Sequence, residues 1–340
     1  MRHWMAGNGR MRAALFESSR TITVRDAPIP EPPPGEVRLR VRYCGICGSD
    51  LSLYKTGVLS GPDVILGHEI SAVVDVDPAG TWEARARVVP YPAGRGCGEC
   101  VWCVEGMFRY CLNPPDQHGG GYAEYVSVPR TALLPIPDGL GDDVAAAAEP
   151  FGVALRAVEL AAPNTGDFAY VSGLGSIGLL SVAGLVAAGC RVVGADPRED
   201  RRALGLDLGC EEVFDPTAED PFAKTLQFEP HGPRVAFECA GVPDSLQQVI
   251  DACGHQGVIG ILGIPMAPVF LLRMTLKEQR AFSIQGPSMD SMQRALDLLA
   301  ERPHIGKVIT GTVPLEETNA AFQRLVAGDG GVKVLVSPEG

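Results

Sequence analysis

Four cysteines stand close together in the segment GCGECVWCVEGMFRYC, where two-residue gaps separate the first three and a longer gap precedes the last. Short gaps let neighbouring thiolates point at one centre, and the later cysteine can close a tetrahedron around Zn²⁺, which soft thiolates suit. The alternative, two disulfides, requires an oxidising compartment. The spacing predicts a structural zinc lobe at about residues 95–112. Its ligands are Cys97, Cys100, Cys103 and Cys111.

A second group of metal-ligand residues stands in two short motifs, Cys47-Gly48-Ser49-Asp50 and Gly67-His68-Glu69. One thiolate and one imidazole provide half of a catalytic zinc site, so a third protein ligand must come from elsewhere. Glu149, in AAEPFG at the junction of two predicted domains, is the candidate. A lone His68 would more often be a packed or surface histidine, but its neighbours favour a ligand.

Cys44 and Cys47 also form a C-x-x-C pair, which is typical of thioredoxin-like redox sites. Such a pair belongs at the start of a helix in a βαβ unit, whereas this one lies in a β-rich region. We therefore interpret Cys44 as a bystander thiol, with a redox role as the alternative.

A dinucleotide-binding motif, G-x-G-x-x-G, occupies residues 173–178 between an apolar strand and a helix. The glycines permit a tight turn and close approach of a pyrophosphate, which the helix N-terminus favours electrostatically. An acidic residue, Asp196, ends the next apolar strand, at the distance expected of a ribose-binding carboxylate. The predicted cofactor-binding residues are Gly173, Gly175, Ser176, Ile177, Gly178, Asp196 and Arg201.

The charge at Asp196 favours NAD over NADP, because a carboxylate accepts hydrogen bonds from the ribose diol and repels a 2′-phosphate. Arg198, Arg201 and Arg202 weaken this preference, since one of them could bind a phosphate or lie against the adenine. The alternative is a glycine loop that serves packing alone, followed by a solvated aspartate.

The elements that must position these residues differ between two regions of the chain. From Met11 to about Pro137, short β-rich segments alternate with glycine and proline turns. Residues 142–162 are alanine-rich and helix-compatible, although Pro150 must end or kink a helix there. Alternating apolar strands and helices follow, which indicates a doubly wound parallel sheet. We expect domain boundaries of 11–150, 151–289 and 290–340, the last returning to the first domain.

Size and charge narrow the function classes. A chain of 340 residues predicts about two domains. A net charge of −12 argues against nucleic acid or an anionic membrane as a partner. No membrane span is expected, and the first ten residues lack the apolar region of a signal peptide. Clustered cysteines then favour ligand chemistry in a reducing cytoplasm.

The chain resembles the zinc-dependent medium-chain alcohol and polyol dehydrogenases of the sorbitol and threonine dehydrogenase type from Met11 to Pro338. The matching strings are YCGICGSD, GHE, GCGECVWC with Cys111, GGGYAEYVSVP, AEPFGVAL, GLGSIG and ECAG. Their joint order and spacing are specific. The resemblance implies an α/β protein with a GroES-like catalytic domain interrupted by a Rossmann domain, usually assembled as a homodimer or homotetramer. A narrower, weaker similarity, in CGSDLSLYK, is to aminocyclitol dehydrogenases.

Residue by residue, the resemblance implies that Cys47, His68 and Glu149 bind catalytic zinc. Ser49 matches the hydroxyl residue that handles the substrate proton, and Asp50 matches the carboxylate that steadies the histidine. Two departures stand out. Many members carry a histidine where this chain has Ser52, and the usual G-D-R-V turn reads R-A-R-V at residues 85–88.

The sequence therefore predicts a zinc-dependent oxidoreductase that transfers hydride between NAD(H) and a secondary alcohol or ketone of a polyol, sugar or cyclitol-like substrate. Ser49, Asp50 and Glu69 are the residues expected to support catalysis. Two alternatives remain: a member that binds zinc and nucleotide without catalysis, and a zinc-free NADPH reductase of the same superfamily.

Overall fold

The computed structural model describes residues 6–57, 63–92, 96–97, 99–105, 110–113 and 120–339. The chain divides into two compact units, one of residues 1–149 and 309–340 and the other of residues 150–308. Parts of the predicted cysteine-rich lobe, residues 95, 98 and 106–109, lie outside the described residues.

The first unit begins with a β-rich region. Its strands are β1 (Ala6–Ser18), β2 (Thr21–Pro30), β3 (Glu36–Gly45), β4 (Val64–Ile65), β5 (Glu69–Val76), β6 (Arg87–Pro90), β7 (Tyr125–Pro129) and β8 (Leu133–Pro135). Its helices are α1 (Gly48–Thr56), α2 (Val101–Val104) and α3 (Asp142–Ala145).

Strand β3 shows why this region folds as a sheet. Val37, Leu39 and Val41 are fully buried, whereas the arginines between them face outward or are half-buried. This two-residue period presents one apolar face to a core. β3 pairs antiparallel with both β5 and β7, and its register sets Gly45 opposite Glu69.

The second unit alternates helices and strands. Its helices are α4 (Ala148–Ala161), α5 (Ser176–Ala187), α6 (Glu199–Asp207), α7 (Pro221–Phe228), α8 (Ser245–Ala252), α9 (Leu272–Lys277) and α10 (Met289–Glu301). Its strands are β9 (Phe168–Ser172), β10 (Arg191–Ala195), β11 (Glu212–Phe214), β12 (Val235–Glu238), β13 (Val258–Ile261) and β14 (Arg280–Ser283).

These strands form one parallel sheet in the order β11-β10-β9-β12-β13-β14. The order reverses between β9 and β12, which is the arrangement of a doubly wound sheet, and ligands bind such sheets at the carboxyl ends of the strands near the reversal. The predicted fold class, a β-rich domain plus a doubly wound domain, is confirmed.

One helical segment and one domain boundary differ from the expected ones. The helical segment is interrupted before Pro150, which lies in the first turn of α4, where the missing N–H is not needed. α10 belongs to the second unit, and its Arg294 pairs with Glu159 of α4. The chain therefore returns to the first unit at Ile309, later than the expected residue 290.

The returning segment completes the larger sheet of the first unit. It contributes β15 (Ile309–Pro314), α11 (Thr318–Ala327) and β16 (Lys333–Ser337). The sheet order is β15-β16-β3-β5-β6-β8, with β7 paired to β3, and a smaller sheet has the order β2-β1-β4. Among the described residues, no helix has both the length and the apolar character that crossing a bilayer requires.

Candidate metal and nucleotide sites

Three ligand side chains meet in the first unit. The sulfur of Cys47, a ring nitrogen of His68 and a carboxylate oxygen of Glu69 lie within 4.8 Å of one another. Cys47 is the residue immediately before α1, His68 lies in the turn before β5, and Glu69 begins that strand. Thiolate, imidazole and carboxylate are all ligands that zinc accepts, so this set fits a zinc ion.

Asp50 orients the histidine of this set. It is 2% exposed, and its Oδ1 lies 3.5 Å from Nδ1 of His68. An imidazole whose Nδ1–H faces a carboxylate keeps Nε2 free for a metal. Burial acts to lower the pKa of His68, but Asp50 and Cys47 outweigh it and raise that pKa well above its usual value. The surroundings therefore favour positive charge, as a cation site should.

The other oxygen of Asp50 is also engaged. Its Oδ2 accepts hydrogen bonds from the Tyr122 hydroxyl at 2.7 Å and from the Cys47 amide at 3.3 Å. Tyr122 is buried, and burial together with Asp50 raises its pKa well above the usual value, so its hydroxyl stays a donor. Asp50 thus connects the backbone at Cys47 with the ring of His68.

Glu69 forms an ion pair with a buried lysine, Lys333. Nζ of Lys333 lies 2.6 Å from both carboxylate oxygens of Glu69 and donates to the Ile46 carbonyl at 3.0 Å. Burial acts to lower the pKa of Lys333, but Glu69, Cys47 and Glu149 raise it overall, which keeps the lysine charged.

Glu149 and Ser49, which were also predicted for this site, differ in burial. Glu149 is buried at 6% exposure and acts electrostatically on Lys333, but it is not part of the three-residue set gathered among the described residues. Its role as a ligand stays a prediction. Ser49 is exposed in the first turn of α1. Ser52, at the position where the resemblance leads one to expect a histidine, donates to the Gly48 carbonyl at 3.1 Å.

Cys44, the other half of the C-x-x-C pair, is fully buried. Burial is the main reason that its pKa is raised well above the usual thiol value, and nearby Asp50 and Glu69 add to the shift. A thiol that resists ionisation is a poor nucleophile, which supports the bystander interpretation.

The cysteine lobe has the geometry of a four-sulfur site. The Sγ atoms of Cys100 and Cys103 are 3.4 Å apart, those of Cys100 and Cys111 3.9 Å, and those of Cys97 and Cys103 4.0 Å. Tetrahedral zinc with bonds of about 2.3 Å requires sulfurs about 3.8 Å apart. A disulfide requires about 2.05 Å. The four residues therefore fit one zinc ion.

Backbone amides support thiolates in this lobe. Cys97 N–H donates to the Cys111 sulfur, and Cys100 N–H donates to the Cys97 sulfur. The Leu112 amide is the largest influence on Cys100, and with further donors it lowers the pKa of that thiol to about 6. Metal binding requires thiolates, so this arrangement favours a metal at neutral pH.

In the second unit, the glycine motif joins β9 to α5. Gly173 has a φ of +90°, and a Cβ there would lie 2.5 Å from the Ala240 nitrogen. Around a Cβ at Gly175, only an Arg201 nitrogen would come within 4 Å. The hydroxyl of Ser176 and Nε of Arg201 are buried and have no hydrogen-bond partner among the described residues. Ser176 begins α5, and Arg201 reaches the glycine loop from α6. A hydroxyl at a helix N-terminus with a guanidinium beside it fits the pyrophosphate of a dinucleotide.

Asp196 is held firmly at the end of β10. Its carboxylate accepts hydrogen bonds from the amides of Leu174 and Arg198, both at 2.9 Å, and Nη1 of Arg201 lies 3.5 Å away. Arg198 pairs with Asp200. Arg202 donates to backbone carbonyls of residues 196 and 197. Arg201 lies beside both the glycine loop and Asp196.

Sequence reasoning missed Lys333 and Tyr122. Lys333 stands in KVLVS, where a charge among apolar strand residues indicates a buried partner. Tyr122 follows three glycines, a signal of close backbone approach. Neither pattern identifies Glu69 or Asp50 as the partner.

Residues 33–138 match the alcohol dehydrogenase GroES-like domain, and residues 176–301 match the zinc-binding dehydrogenase family. The (R,R)-butanediol dehydrogenase of Bacillus subtilis is 31% identical over 355 residues, covering 96% of this chain and all of the relative. Sorbitol dehydrogenase of the same organism is 28% identical over 350 residues, covering 96% and 97%.

A solved structure described as a zinc-binding dehydrogenase from Sinorhizobium meliloti, bound to NADP, superimposes with a TM-score of 0.86 at 30% identity. It covers 97% of this chain and 100% of that one.

Proposed function

The chain belongs to the zinc-binding dehydrogenase family with an alcohol dehydrogenase GroES-like domain, and from this premise we propose that it is a zinc- and NAD-dependent dehydrogenase. It oxidises a secondary hydroxyl of a polyol, sugar or cyclitol-like substrate and catalyses the reverse reduction. The observation that carries the proposal is the meeting of Cys47 and His68, with Asp50 behind the histidine.

The residues of the first unit would hold the metal. Cys47 and His68 are two protein ligands, and Glu149 is the proposed third, because the charge of Glu69 is already matched by Lys333. When bound, zinc supplies Lewis-acid chemistry and the nicotinamide ring exchanges a hydride. Asp50 keeps Nδ1 of His68 protonated, and the exposed Ser49 hydroxyl takes the proton that the alcohol loses and passes it outward.

The cofactor proposal rests on Asp196. A carboxylate fixed by two amides can accept hydrogen bonds from both hydroxyls of the adenosine ribose, and it repels a 2′-phosphate. Two observations favour NADP instead, namely the NADP-bound relative and the nearby Arg201. We propose NAD because Arg201 is already attracted to Asp196.

Assembly and location are part of the proposal. Several apolar side chains are exposed in the segment that joins β13 to the edge strand β14, including Ile264, Met266, Phe270 and Leu272. Such a surface suits association with a second copy, as a homodimer or homotetramer. All ten cysteines carry free thiols, which suits a reducing compartment such as the cytoplasm.

A zinc-replete sample should be tested with polyols, cyclitols and simple secondary alcohols while NADH absorbance is followed. Turnover with at least one of them, with two zinc ions per chain, is the expected result. Zinc and NAD⁺ binding without turnover would instead support an inactive member of the family. A metal-free protein active with NADPH on an enoyl or quinone substrate would support the zinc-free alternative.

A further inference from the structure

We infer that Tyr122 is a positioning residue of the candidate metal centre: its hydroxyl holds Asp50 in the orientation that lets Asp50 orient His68. The inference rests on the proposed function, because it concerns how firmly the first unit holds a metal at Cys47 and His68.

Three contacts form a chain toward the metal ligands. The Tyr122 hydroxyl donates to Oδ2 of Asp50 at 2.7 Å, and Oδ1 of the same carboxylate faces Nδ1 of His68 at 3.5 Å. Oδ2 of Asp50 thus contacts the tyrosine, whereas Oδ1 contacts the histidine. A carboxylate fixed at one oxygen cannot rotate the other away from the imidazole.

The Tyr122 hydroxyl lies between two hydrogen-bond acceptors close to the metal ligands. The hydroxyl lies 2.7 Å from Oδ2 of Asp50 and 3.1 Å from the Gly45 carbonyl, and both of these groups only accept. The shorter contact, to an ionised group, is the stronger one. Without the hydroxyl, Oδ2 of the buried Asp50 carboxylate would lose this short hydrogen bond and keep the longer one from the Cys47 amide, at 3.3 Å.

The backbone holds the tyrosine ring in register with the metal ligands. Tyr122 N–H donates to the Leu66 carbonyl at 3.1 Å, and Gly121 N–H donates to the Gly67 carbonyl at 2.8 Å. Both acceptors immediately precede His68 in the chain. Gly67 has a φ of +97°, and a Cβ there would lie 3.0 Å from a carbon of the Tyr122 ring. The loop that carries His68 is therefore shaped around this ring.

The chain offers a matched control in Tyr54. Both tyrosines are about 1% exposed and both pack against Phe322, with ring centroids 5.7 Å away for Tyr122 and 5.1 Å for Tyr54. The Tyr54 hydroxyl also lies near a carbonyl, Arg20 O at 2.8 Å, and a side-chain acceptor, Asn319 Oδ1 at 3.0 Å, and it has a further hydrogen bond with Gln323. The contacts of Asp50 within the described part of the chain, to Cys47, Tyr122 and His68, include none of these partners. Tyr54→Phe therefore removes an equivalent buried hydroxyl from the same core.

The experiment compares the full-length, zinc-loaded wild-type protein with Tyr122→Phe and Tyr54→Phe. Zinc affinity at the Cys47 site is measured by chelator competition, with the four-cysteine site as internal reference, and the absorption spectrum of a cobalt-substituted sample reports ligand geometry. Tyr122→Phe should weaken zinc binding at that site about tenfold, at the low end of effects for groups that support a metal ligand. Tyr54→Phe should change it less than about twofold.

A double-mutant cycle separates positioning from general destabilisation. In an Asp50→Asn background, where the carboxylate is already absent, Tyr122→Phe should have little further effect on zinc affinity. Equal effects of the two tyrosine substitutions, or an undiminished Tyr122→Phe effect in Asp50→Asn, would overturn the inference while leaving the proposed function intact. A wild-type protein that binds one zinc per chain, at the four-cysteine site alone, would overturn both.

Discussion

Lys333 and Glu69, 264 positions apart in the chain, form a buried ion pair in which the lysine nitrogen lies 2.6 Å from both carboxylate oxygens. Their side chains are 3% and 1% exposed. The pairing follows from the sheet, because β16 and β5 both pair with β3. It places a positive charge beside the ligand set of Cys47 and His68, where it limits how much negative charge Glu69 offers a metal.

Lys333→Met should therefore be strongly destabilising. Removing one partner leaves a buried charge uncompensated, which costs about 3–5 kcal/mol of unfolding free energy. Chemical denaturation with the metal bound measures this loss. Lys307→Met is the control, because its pair with Asp207 is about half exposed and contributes about 0–1 kcal/mol. Similar losses of unfolding free energy in the two variants would show that the buried pair contributes no more to stability than the exposed one.

The third metal ligand can be assigned by zinc content. We expect Glu149→Ala to lower occupancy of the Cys47 site sharply while leaving the four-cysteine site filled. Glu69→Gln should retain the ion, since Lys333 already holds that carboxylate. Metal analysis after dialysis gives the stoichiometry. Loss of zinc from Glu69→Gln but not from Glu149→Ala would assign the ligand to Glu69 instead.

Cys100→Ser should impair folding, because a closed four-sulfur site contributes directly to folding free energy. The sulfur lies 3.4 Å from that of Cys103, so one ligand of the predicted site would be lost. Thermal unfolding and zinc content should fall together. Cys190→Ala, at a cysteine outside both metal-ligand groups, is the comparison. A normally stable Cys100→Ser protein with one zinc fewer would show that the site is not structural.

Cofactor preference should depend mainly on Asp196. A 2′-phosphate carries about −1.5 to −2 charge, so repulsion by the carboxylate should make kcat/KM at least about tenfold higher with NAD⁺ than with NADP⁺. Asp196→Ser should shrink or invert this ratio, because Arg201 is then free to bind the phosphate. Arg201→Ala in the same background should cancel the gain. A wild-type preference for NADP⁺ would show that the arginines govern the site.

Acid should weaken the first unit through Asp77. Burial acts to raise the pKa of this carboxyl, but the amides of Trp82, Ala79 and Thr81 together with Arg130 lower it from 3.8 to about 2. A pKa depressed in the folded state means stabilisation that is present above about pH 4 and lost as the pH falls toward about 2. Asp77→Asn should therefore unfold at a lower temperature than wild type at pH 7, and the two should converge near pH 2. Parallel melting curves across this range would contradict the assignment.

The sequence by itself determined the features that depend on residues close along the chain. Cysteine spacing between residues 97 and 111 predicted one sulfur cluster, because a short loop can bring nearby thiolates together. The glycine motif at residues 173–178 and Asp196 directly follow two adjacent strands, β9 and β10, of one βαβ unit, so their proximity could also be predicted from the local sequence pattern. The alternation of strands and helices predicted the doubly wound sheet for the same reason.

Only the tertiary structure decided which distant groups surround the metal ligands. Asp50 meets Tyr122 across 72 positions, and Glu69 meets Lys333 across 264. These contacts depend on which strands pair and in which register, and a shift of one residue would turn each side chain to the opposite face. The end of the second unit at residue 308 was also decided by tertiary contacts, among them that of Met292 in α10 with Gly152 in α4. The periodicity of residues along the chain does not specify which strands pair, because strand pairing depends on how the whole apolar surface is buried.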